Sequence, residues 1–204
     1  MEESSGYEKN YERLKLWLLE QDFTANAKEL GLKVTEKGAN ARLLGRDYLI
    51  SKDGVFPLDG EESHANCRSI LIHYSLSQGK GEPGDEYLTL YQLPGVLRGR
   101  RDPGKDILNG KIERAFGQGG HELFAEAAKK IGGSFLGEHE AGGKLWHFEA
   151  LPKIPLRVIF IEADEEYPVE VRVLFPSRAP EFLGFECLAF LNGCLADALV
   201  VEDS

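Results

Sequence analysis

The clearest pattern in the chain is an alternation of apolar and polar side chains near its end. Over residues 169–175, Val169, Val171, Val173 and Phe175 alternate with Glu170, Arg172 and Leu174. Successive side chains of a strand point to opposite faces, so a period of two predicts a β-strand with one buried face. A similar strand is predicted at 156–162, and an acidic turn at 162–166 separates the two.

A long apolar helix is predicted after these strands. At about 100° per residue, one half of the helical wheel carries apolar residues: Leu183, Cys187, Leu188, Phe190, Leu191, Cys194, Leu195 and Ala198. The opposite half carries Glu181, Glu186, Asn192, Gly193 and Asp197. We therefore expect the apolar half to pack against a large surface, most simply one face of a sheet.

Earlier segments alternate between helical and strand-like patterns. Helices are predicted at 7–20, from Asp22 to Gly31, after a Ser63 cap, at 107–116, and before Gly132. In the helix after Ser63, the apolar stripe consists of Cys67, Ile70, Leu71 and Tyr74. Short β-type runs fall between Val34 and Leu58, and Lys52-Asp53-Gly54 is a hairpin turn signal.

These elements predict an α+β fold in a single globular domain over residues 1–204. We expect a mixed, largely antiparallel sheet packed against several helices, with the long C-terminal helix buried on one face. A chain of this length buries roughly 70% of its unfolded surface and needs no disulfide or metal to hold it together.

Charge and composition narrow the classes of partner. Acidic residues outnumber basic ones by 34 to 24, which gives a formal net charge of −10. An acidic surface repels nucleic acids and anionic membranes, so we expect neither as a partner. No apolar run approaches the roughly 20 residues that span a bilayer. The charged start is unlike a secretory leader, and three cysteines without a CxxC pair indicate a reducing, cytoplasmic location.

The cysteines are interpreted as core residues. Cys187 and Cys194 lie two helical turns apart in the apolar half of the wheel, where a thiol packs as a small hydrophobic group. Cys67 is the third potential metal ligand, but structural zinc sites use closely spaced ligand pairs and the chain has none. We therefore predict that Cys187 and Cys194 are buried and unreactive, and that the protein holds no metal.

Two acidic segments contain residue types that bind metal ions. Glu138, His139, Glu140, His147 and Glu149 form the richest cluster of ligand-type residues in the chain. A period of two places His147 and Glu149 on one strand face, but a solvated loop is the simpler interpretation. The acidic turn at 162–166 lacks the spaced oxygen ligands and glycine of a calcium loop.

One candidate ligand site combines a basic loop with a glycine-rich helix start. It consists of Arg98, Arg100, Arg101, Lys105, Gly119, Gly120 and His121, with Gly117 just before. Guanidinium groups and the free N–H groups of a helix start both bind phosphate or carboxylate. The alternative is an exposed charged loop, because no strand precedes the glycines and no GK[ST] motif follows them.

Residues 150–199 carry a combination of features found in a known family. A strand begins with LPKIPL and ends with EADEE, and a VLFPSRAPEFL corner leads into the apolar helix. In these features the chain resembles an uncharacterised bacterial and archaeal family, a domain of unknown function. Some members look like fusions to a four-cysteine iron–sulfur domain, and most occur in anaerobes. The resemblance implies a role near iron–sulfur or corrinoid metabolism, with any cluster on a partner protein because this chain lacks that segment.

The sequence contains no catalytic motif of a familiar kind. There is no GxSxG, HExxH, Walker loop or kinase motif set, although a non-local triad would leave no such trace. We therefore expect a small cytoplasmic binding or accessory protein without a cofactor or catalysis of its own. The alternative is an enzyme or sensor for a small anionic ligand, bound at residues 98–101 and 117–121.

Overall fold

The computed structural model describes residues 6–95, 103–117, 120–140 and 142–200. Within these residues the chain forms helices and two antiparallel sheets, which confirms the predicted α+β class. The helices are α1 (Gly6–Glu20), α2 (Ala65–Ser75), α3 (Pro103–Phe116), α4 (Gly120–Lys130), α5 (Ala179–Phe182) and α6 (Phe185–Leu199). None of the helices in the described part of the chain is long and apolar enough to span a bilayer.

The first sheet is a meander in which strands pair in chain order. Its strands are β1 (Lys33–Thr35), β2 (Gly38–Leu43), β3 (Arg46–Ser51) and β4 (Gly54–Pro57). The predicted hairpin turn is confirmed, because Ser51 pairs with Gly54 across Lys52 and Asp53. The Asp53 amide donates to Ser51 Oγ at 3.2 Å, which closes this turn.

The turn between β2 and β3 holds a leucine in the left-handed region. Leu44 has φ 48° and Gly45 has φ 81°, and Leu43 pairs directly with Arg46 around them. A two-residue turn with both φ values positive matches the twist of the flanking strands. The Leu44 amide also donates to the Ala150 carbonyl at 3.0 Å, so this turn connects the first sheet to the second.

The second sheet has the spatial order β5-β9-β8-β7-β6. Its strands are β5 (Tyr87–Thr89), β6 (Ser134–Glu138), β7 (Lys144–Leu151), β8 (Ile154–Ile161) and β9 (Glu170–Pro176). The alternation predicted for the last strand is confirmed, since Val171, Val173 and Phe175 are buried while Arg172 is exposed. Both sheets contribute to one hydrophobic core, whose largest fully buried side chains include Trp146, Tyr74, Phe124, Phe148 and Phe160.

Helix α6 packs mainly against α2 and α3 rather than directly on a sheet face. Most of its predicted apolar half is buried, but two assignments were wrong. Phe190 is 39% exposed, whereas Asn192 is only 4% exposed. Because α2 and α3 both contact α6, the buried arc is rotated away from Phe190 toward Asn192. The Asn192 Oδ1 atom has no hydrogen-bond partner among the described residues.

The predicted helix from Asp22 to Gly31 is replaced by successive turns. The Asp22 carboxylate does accept from the Thr24 amide at 2.9 Å, as a helix cap would. However, the Asn26 side chain donates to the carbonyls of Ser77 and Gly79, at 3.0 and 2.9 Å. These tertiary bonds hold the segment against the chain that follows α2, and they override its local helical pattern.

Tyr74 joins three segments through one hydroxyl group. The hydroxyl donates to the Leu30 carbonyl at 2.7 Å and accepts from the Lys153 amide at 3.0 Å. The side chain is fully buried, and burial raises the pKa of the Tyr74 hydroxyl far above its ordinary value. The Tyr74 hydroxyl therefore stays protonated and can make both hydrogen bonds.

We predict that Tyr74→Phe lowers the free energy of unfolding by about 1–3 kcal/mol, because two backbone groups lose their partner inside the protein. Urea unfolding followed by circular dichroism measures this change. The matched control is Tyr7→Phe, whose side chain is 50% exposed, and which should shift stability by less than about 0.5 kcal/mol. Equal stability of Tyr74→Phe and wild type would contradict the assigned role of the hydroxyl.

Candidate functional site

A cavity of about 240 Å³ lies where the start of α2 meets the β2–β3 turn and α6. It is lined by Leu43, Leu44, Arg46, Tyr48, Ser63, His64, Cys67, Ile131, Cys194, Asp197 and Ala198. Apolar walls with a few convergent polar groups are typical of small-molecule sites. We call this space the α2 cavity.

Arg46 organises the segment that leads into α2. Its guanidinium makes two bonds to the Asp59 carboxylate, at 2.7 and 2.8 Å, and also donates to the carbonyls of Glu61 and Glu62. The bond to Asp59 raises the pKa of Arg46 and lowers the pKa of Asp59. The Arg46 charge is thus engaged within the protein, and its main effect is to shape one wall of the α2 cavity.

Two buried hydroxyl groups face each other in the same wall. Tyr48 Oη and Ser63 Oγ lie 3.1 Å apart, and either one can donate. One hydroxyl hydrogen of the pair is therefore left for another acceptor. Burial raises the pKa of Tyr48, so the phenol stays protonated. The predicted Ser63 cap is wrong by one residue, because His64 Nδ1 accepts from the Asn66 amide at 3.2 Å and caps α2.

Cys67 and Cys194 meet at the inner end of the α2 cavity. Their Sγ atoms lie 2.7 Å apart, although the residues are 127 positions apart in sequence. Non-bonded heavy atoms rest at about 3.5–4.0 Å, and a disulfide bond measures about 2.0 Å. Cys67 is half-buried in the first turn of α2, whereas Cys194 is only 4% exposed.

The two sulfur atoms differ in their affinity for a proton. The hydrogen bond with Cys194 lowers the pKa of Cys67, and it outweighs burial and the negative charge of Asp197, which act in the opposite direction; the positive charge of Arg46 adds to the lowering. The same hydrogen bond and burial raise the pKa of Cys194. A thiolate therefore forms first on Cys67, while Cys194 keeps its proton.

Cys187 occupies a different environment on the same helix. It is buried, and burial together with the Glu186 charge raises its pKa to about 11. Cys194 is seven positions further along the helix, about 10 Å along its axis. The predicted burial of Cys187 and Cys194 is confirmed. The contact between Cys194 and Cys67 was not predicted.

Most of the predicted anion site lies beyond what the structure describes. Arg98, Arg100, Arg101 and Gly119 are outside the described residues, and only the backbone of Lys105, in α3, is described. Gly120 and His121 begin α4. That site therefore stays a prediction.

The start of α4 already has a carboxylate beside it. The His121 amide donates to Glu162 Oε1 at 3.4 Å, and Lys144 Nζ lies 2.8 Å from Glu162 Oε2. The bond from Lys144 is the main reason that the pKa of Glu162 is lowered. An external anion at this helix start would compete with Glu162.

The His121 ring belongs to an aromatic cluster. Its centroid lies 5.6 to 5.9 Å from the rings of Trp146, Phe135 and Phe160. The Nε2 atom accepts a hydrogen bond from Trp146 Nε1 at 3.1 Å. Burial, aided by the charge of Lys144, lowers the pKa of His121 despite the acidic residues nearby. The imidazole therefore works as a neutral acceptor.

The histidine-rich segment shows one of the expected pairings. His147 Nε2 and Glu149 Oε1 lie 2.9 Å apart on one face of β7, as strand parity predicted. Within the described ranges, no group of three or more His, Cys, Asp or Glu side chains is placed to hold a metal ion.

Two larger grooves run along the helices. One, of about 640 Å³, lies between α1, α2 and the start of α6 and includes Trp17, His73 and Phe185. The other, of about 970 Å³, lies between α3, α4 and the end of α6 and includes Lys111 and Leu123. We select the α2 cavity because, of these three spaces, it alone contains two contacting thiols and a hydroxyl pair.

A protein-family model described as a domain of unknown function, DUF3786, matches residues 22–198. The chain belongs to this family. The match confirms the resemblance to a domain of unknown function, and it covers both sheets. Every residue that lines the α2 cavity lies in the DUF3786 region, whereas α1 precedes it. Searches of curated proteins and of solved structures found no significant match.

The α2 cavity could not be predicted from local motifs. Its lining comes from separate segments, around residues 43–48, 63–67, 131 and 194–198. The sequence contained one indication of the site. Cys67 lies just after the start of a predicted helix, and this position lowers the pKa of a thiol. Its partner lies on another helix, and no spacing rule connects the two.

We predict that acid destabilises the protein partly through His121. Its pKa is lower in the folded chain than the ordinary value, so the unfolded chain binds the proton more readily. The stability that the neutral imidazole provides is complete above about pH 7 and is lost as the pH falls below about 6.5. His121→Gln should therefore flatten the decline of the urea midpoint between about pH 7 and pH 5.

Phe135→Leu is the matched control for this experiment. It perturbs the same aromatic cluster without removing a titratable group. Its urea midpoint should fall at every pH with the wild-type slope. An unchanged slope in His121→Gln would contradict the prediction.

Proposed function

We propose that the protein is a binding or accessory protein that holds a small molecule in the α2 cavity. The observation that supports this most is the concave, partly apolar space of about 240 Å³, in which the Tyr48–Ser63 pair has a spare hydroxyl hydrogen. Both hydroxyl groups already line the cavity, so no other polar group has to become exposed before a ligand binds.

Size and charge suggest a compact ligand with little net charge. The volume falls below the roughly 300–1,000 Å³ of sites for drug-sized ligands. Leu43, Leu44 and Ile131 supply apolar contacts, and the Tyr48–Ser63 pair favours a hydrogen-bond acceptor such as a carbonyl or ether oxygen. Charged groups in the lining are engaged elsewhere, since Arg46 bonds Asp59, and Asp197 pairs with Lys111.

The wider biological setting is also part of the proposal. The free cysteines favour a reducing, cytoplasmic location. The link to iron–sulfur or corrinoid metabolism rests on the family resemblance, and its partner would carry the cofactor. The alternative function, an enzyme or sensor for a small anion, rests on Arg98, Arg100 and Arg101 and stays a prediction.

We predict that a thermal-shift panel of compact neutral metabolites contains at least one ligand. At one hundred times its Kd, a ligand stabilises the fold by about 2.7 kcal/mol, which raises Tm by about 5–11 °C for a chain of this size. The double variant Tyr48→Phe/Ser63→Ala removes both hydroxyls, and with them the spare donor, and should weaken binding about tenfold. Tyr167→Phe, whose side chain is 67% exposed and does not line the cavity, should bind like wild type.

Separate arms of the panel test the alternatives. Phosphate, nucleotides and carboxylates test the anion site, and haem, corrinoids and iron–sulfur proteins test the proposed metabolic link. A shift with an anion that persists in Tyr48→Phe/Ser63→Ala and disappears in Arg100→Ala would move the function to the basic loop. No shift with any neutral compound, or a neutral ligand unaffected by Tyr48→Phe/Ser63→Ala, would reject the α2 cavity as the binding site.

A further inference from the structure

We propose that Cys67 and Cys194 form a redox-active dithiol that exchanges with a low-molecular-weight disulfide entering the α2 cavity. This activity is separate from the reversible binding proposed above, although it uses the same opening. It assigns covalent chemistry to two residues that no local motif connects.

The first support is the position of the two sulfur atoms. They lie 2.7 Å apart, only about 0.7 Å more than a disulfide bond length. The two thiols are therefore already in contact, on helices that pack against each other. Both helices are well anchored, because α2 contacts α1, the first sheet and α6, and α6 also contacts α3.

The second support is the difference in access between the two thiols. Cys67 is half-buried and lines the α2 cavity from the first turn of its helix, where the helix dipole favours a thiolate. Cys194 is only 4% exposed, so an incoming reagent meets Cys67 first. The opposite shifts in their pKa values agree with this order, with Cys67 as the attacking thiolate and Cys194 as the proton-bearing partner.

The reaction balances without any further oxidant. The Cys67 thiolate attacks one sulfur of a small disulfide, RSSR, forming a Cys67–SR bond and releasing RS⁻. Cys194 then loses its proton and attacks Cys67 Sγ, forming the Cys67–Cys194 disulfide and releasing the second RS⁻. Both thiolates take up the protons that the protein thiols gave away. The protein dithiol is oxidised, and RSSR is reduced to two RSH.

The shape of the site favours a small disulfide over a protein disulfide. Cys67 lies within a cavity of about 240 Å³, beside Leu43, Leu44 and the Tyr48–Ser63 pair. A folded partner would have to insert a segment into this space to reach the sulfur, whereas a small neutral disulfide fits the volume and the apolar walls. The hydroxyl pair can donate to an oxygen on such a molecule.

The chain contains its own control. Cys187 lies on the same helix as Cys194 and is also buried, but its sulfur has no thiol partner among the three cysteines. Replacing Cys187 with Ser removes a buried thiol from α6 without touching the proposed pair. Any effect of Cys194→Ser that Cys187→Ser does not share is therefore specific to the Cys67–Cys194 contact.

The test treats the reduced protein with bis(2-hydroxyethyl) disulfide, followed by acid quench, alkylation and mass spectrometry. Wild type and Cys187→Ser should lose two hydrogen atoms, release two thiols per chain, and yield a cross-linked peptide pair containing residues 67 and 194. Cys194→Ser should stop at a single mixed disulfide on Cys67. Cys67→Ser should react at least about tenfold more slowly, because its remaining thiols are buried.

Three results would overturn the proposal. The first is a stable mixed disulfide on wild-type Cys67 while Cys194 can still be alkylated. The second is that Cys67→Ser reacts with the disulfide reagent as fast as wild type. The third is that Cys194→Ser and wild type give the same final product. The Tm of each variant is measured first. If Cys194→Ser is unfolded, wild type alone tests the cross-link. Its Tm should rise on oxidation and return to the starting value on reduction. An unchanged Tm would contradict the cross-link.

The same experiments separate this proposal from the binding function. Tyr48→Phe/Ser63→Ala should lose affinity for a neutral ligand but still form the Cys67–Cys194 disulfide. Cys67→Ser should exchange at least about tenfold more slowly than wild type, while a reversibly bound ligand still raises its Tm. Failure of one proposal therefore leaves the other intact.

Discussion

The enclosure of α2 is the constraint on which the rest of the structure depends. This helix contacts α1, three strands of the first sheet and α6, and its interior residues from Ser69 to Tyr74 are largely buried. Its two ends therefore have fixed positions. The last turn places Tyr74 between Leu30 and Lys153, and the first turn places Cys67 against Cys194. Stability and candidate chemistry thus depend on the same buried element.

One backbone conformation in the wall of the α2 cavity is energetically unfavourable, and contacts around it offset this cost in free energy. A leucine in the left-handed region is disfavoured by roughly 1–2 kcal/mol. At Leu44 the opposing gains are a buried side chain and a backbone hydrogen bond to Ala150. Gly45 has to be small, because a Cβ atom there would lie 2.7 Å from the Ile131 carbonyl. Backbone conformations of this kind often occur beside functional sites, and this one lines the candidate cavity.

The sequence pattern predicted the elements whose conformation depends on the burial of their own side chains. The alternation in β9 and the apolar stripe of α2 were sufficient, because burial of one face decides both elements. The 22–31 segment has an equally helical pattern, but side-chain bonds from Asn26 to a distant loop determine its conformation. Asn192 is buried for a similar reason, since the packing of α3 on α6 is absent from the pattern of α6 itself. The α2 cavity draws on four separate segments, so only the tertiary structure brings its residues together.

The separation of 127 residues between the two contacting thiols also bears on how the molecule folds. Bringing such distant positions together carries a loop-closure entropy that is repaid only when both helices have docked. A partly folded chain in which either α2 or α6 is detached has two ordinary, separated cysteines. Contact between the two thiols therefore requires that both helices have docked. The fraction of molecules that form the cross-link would measure the fraction that has reached the native topology.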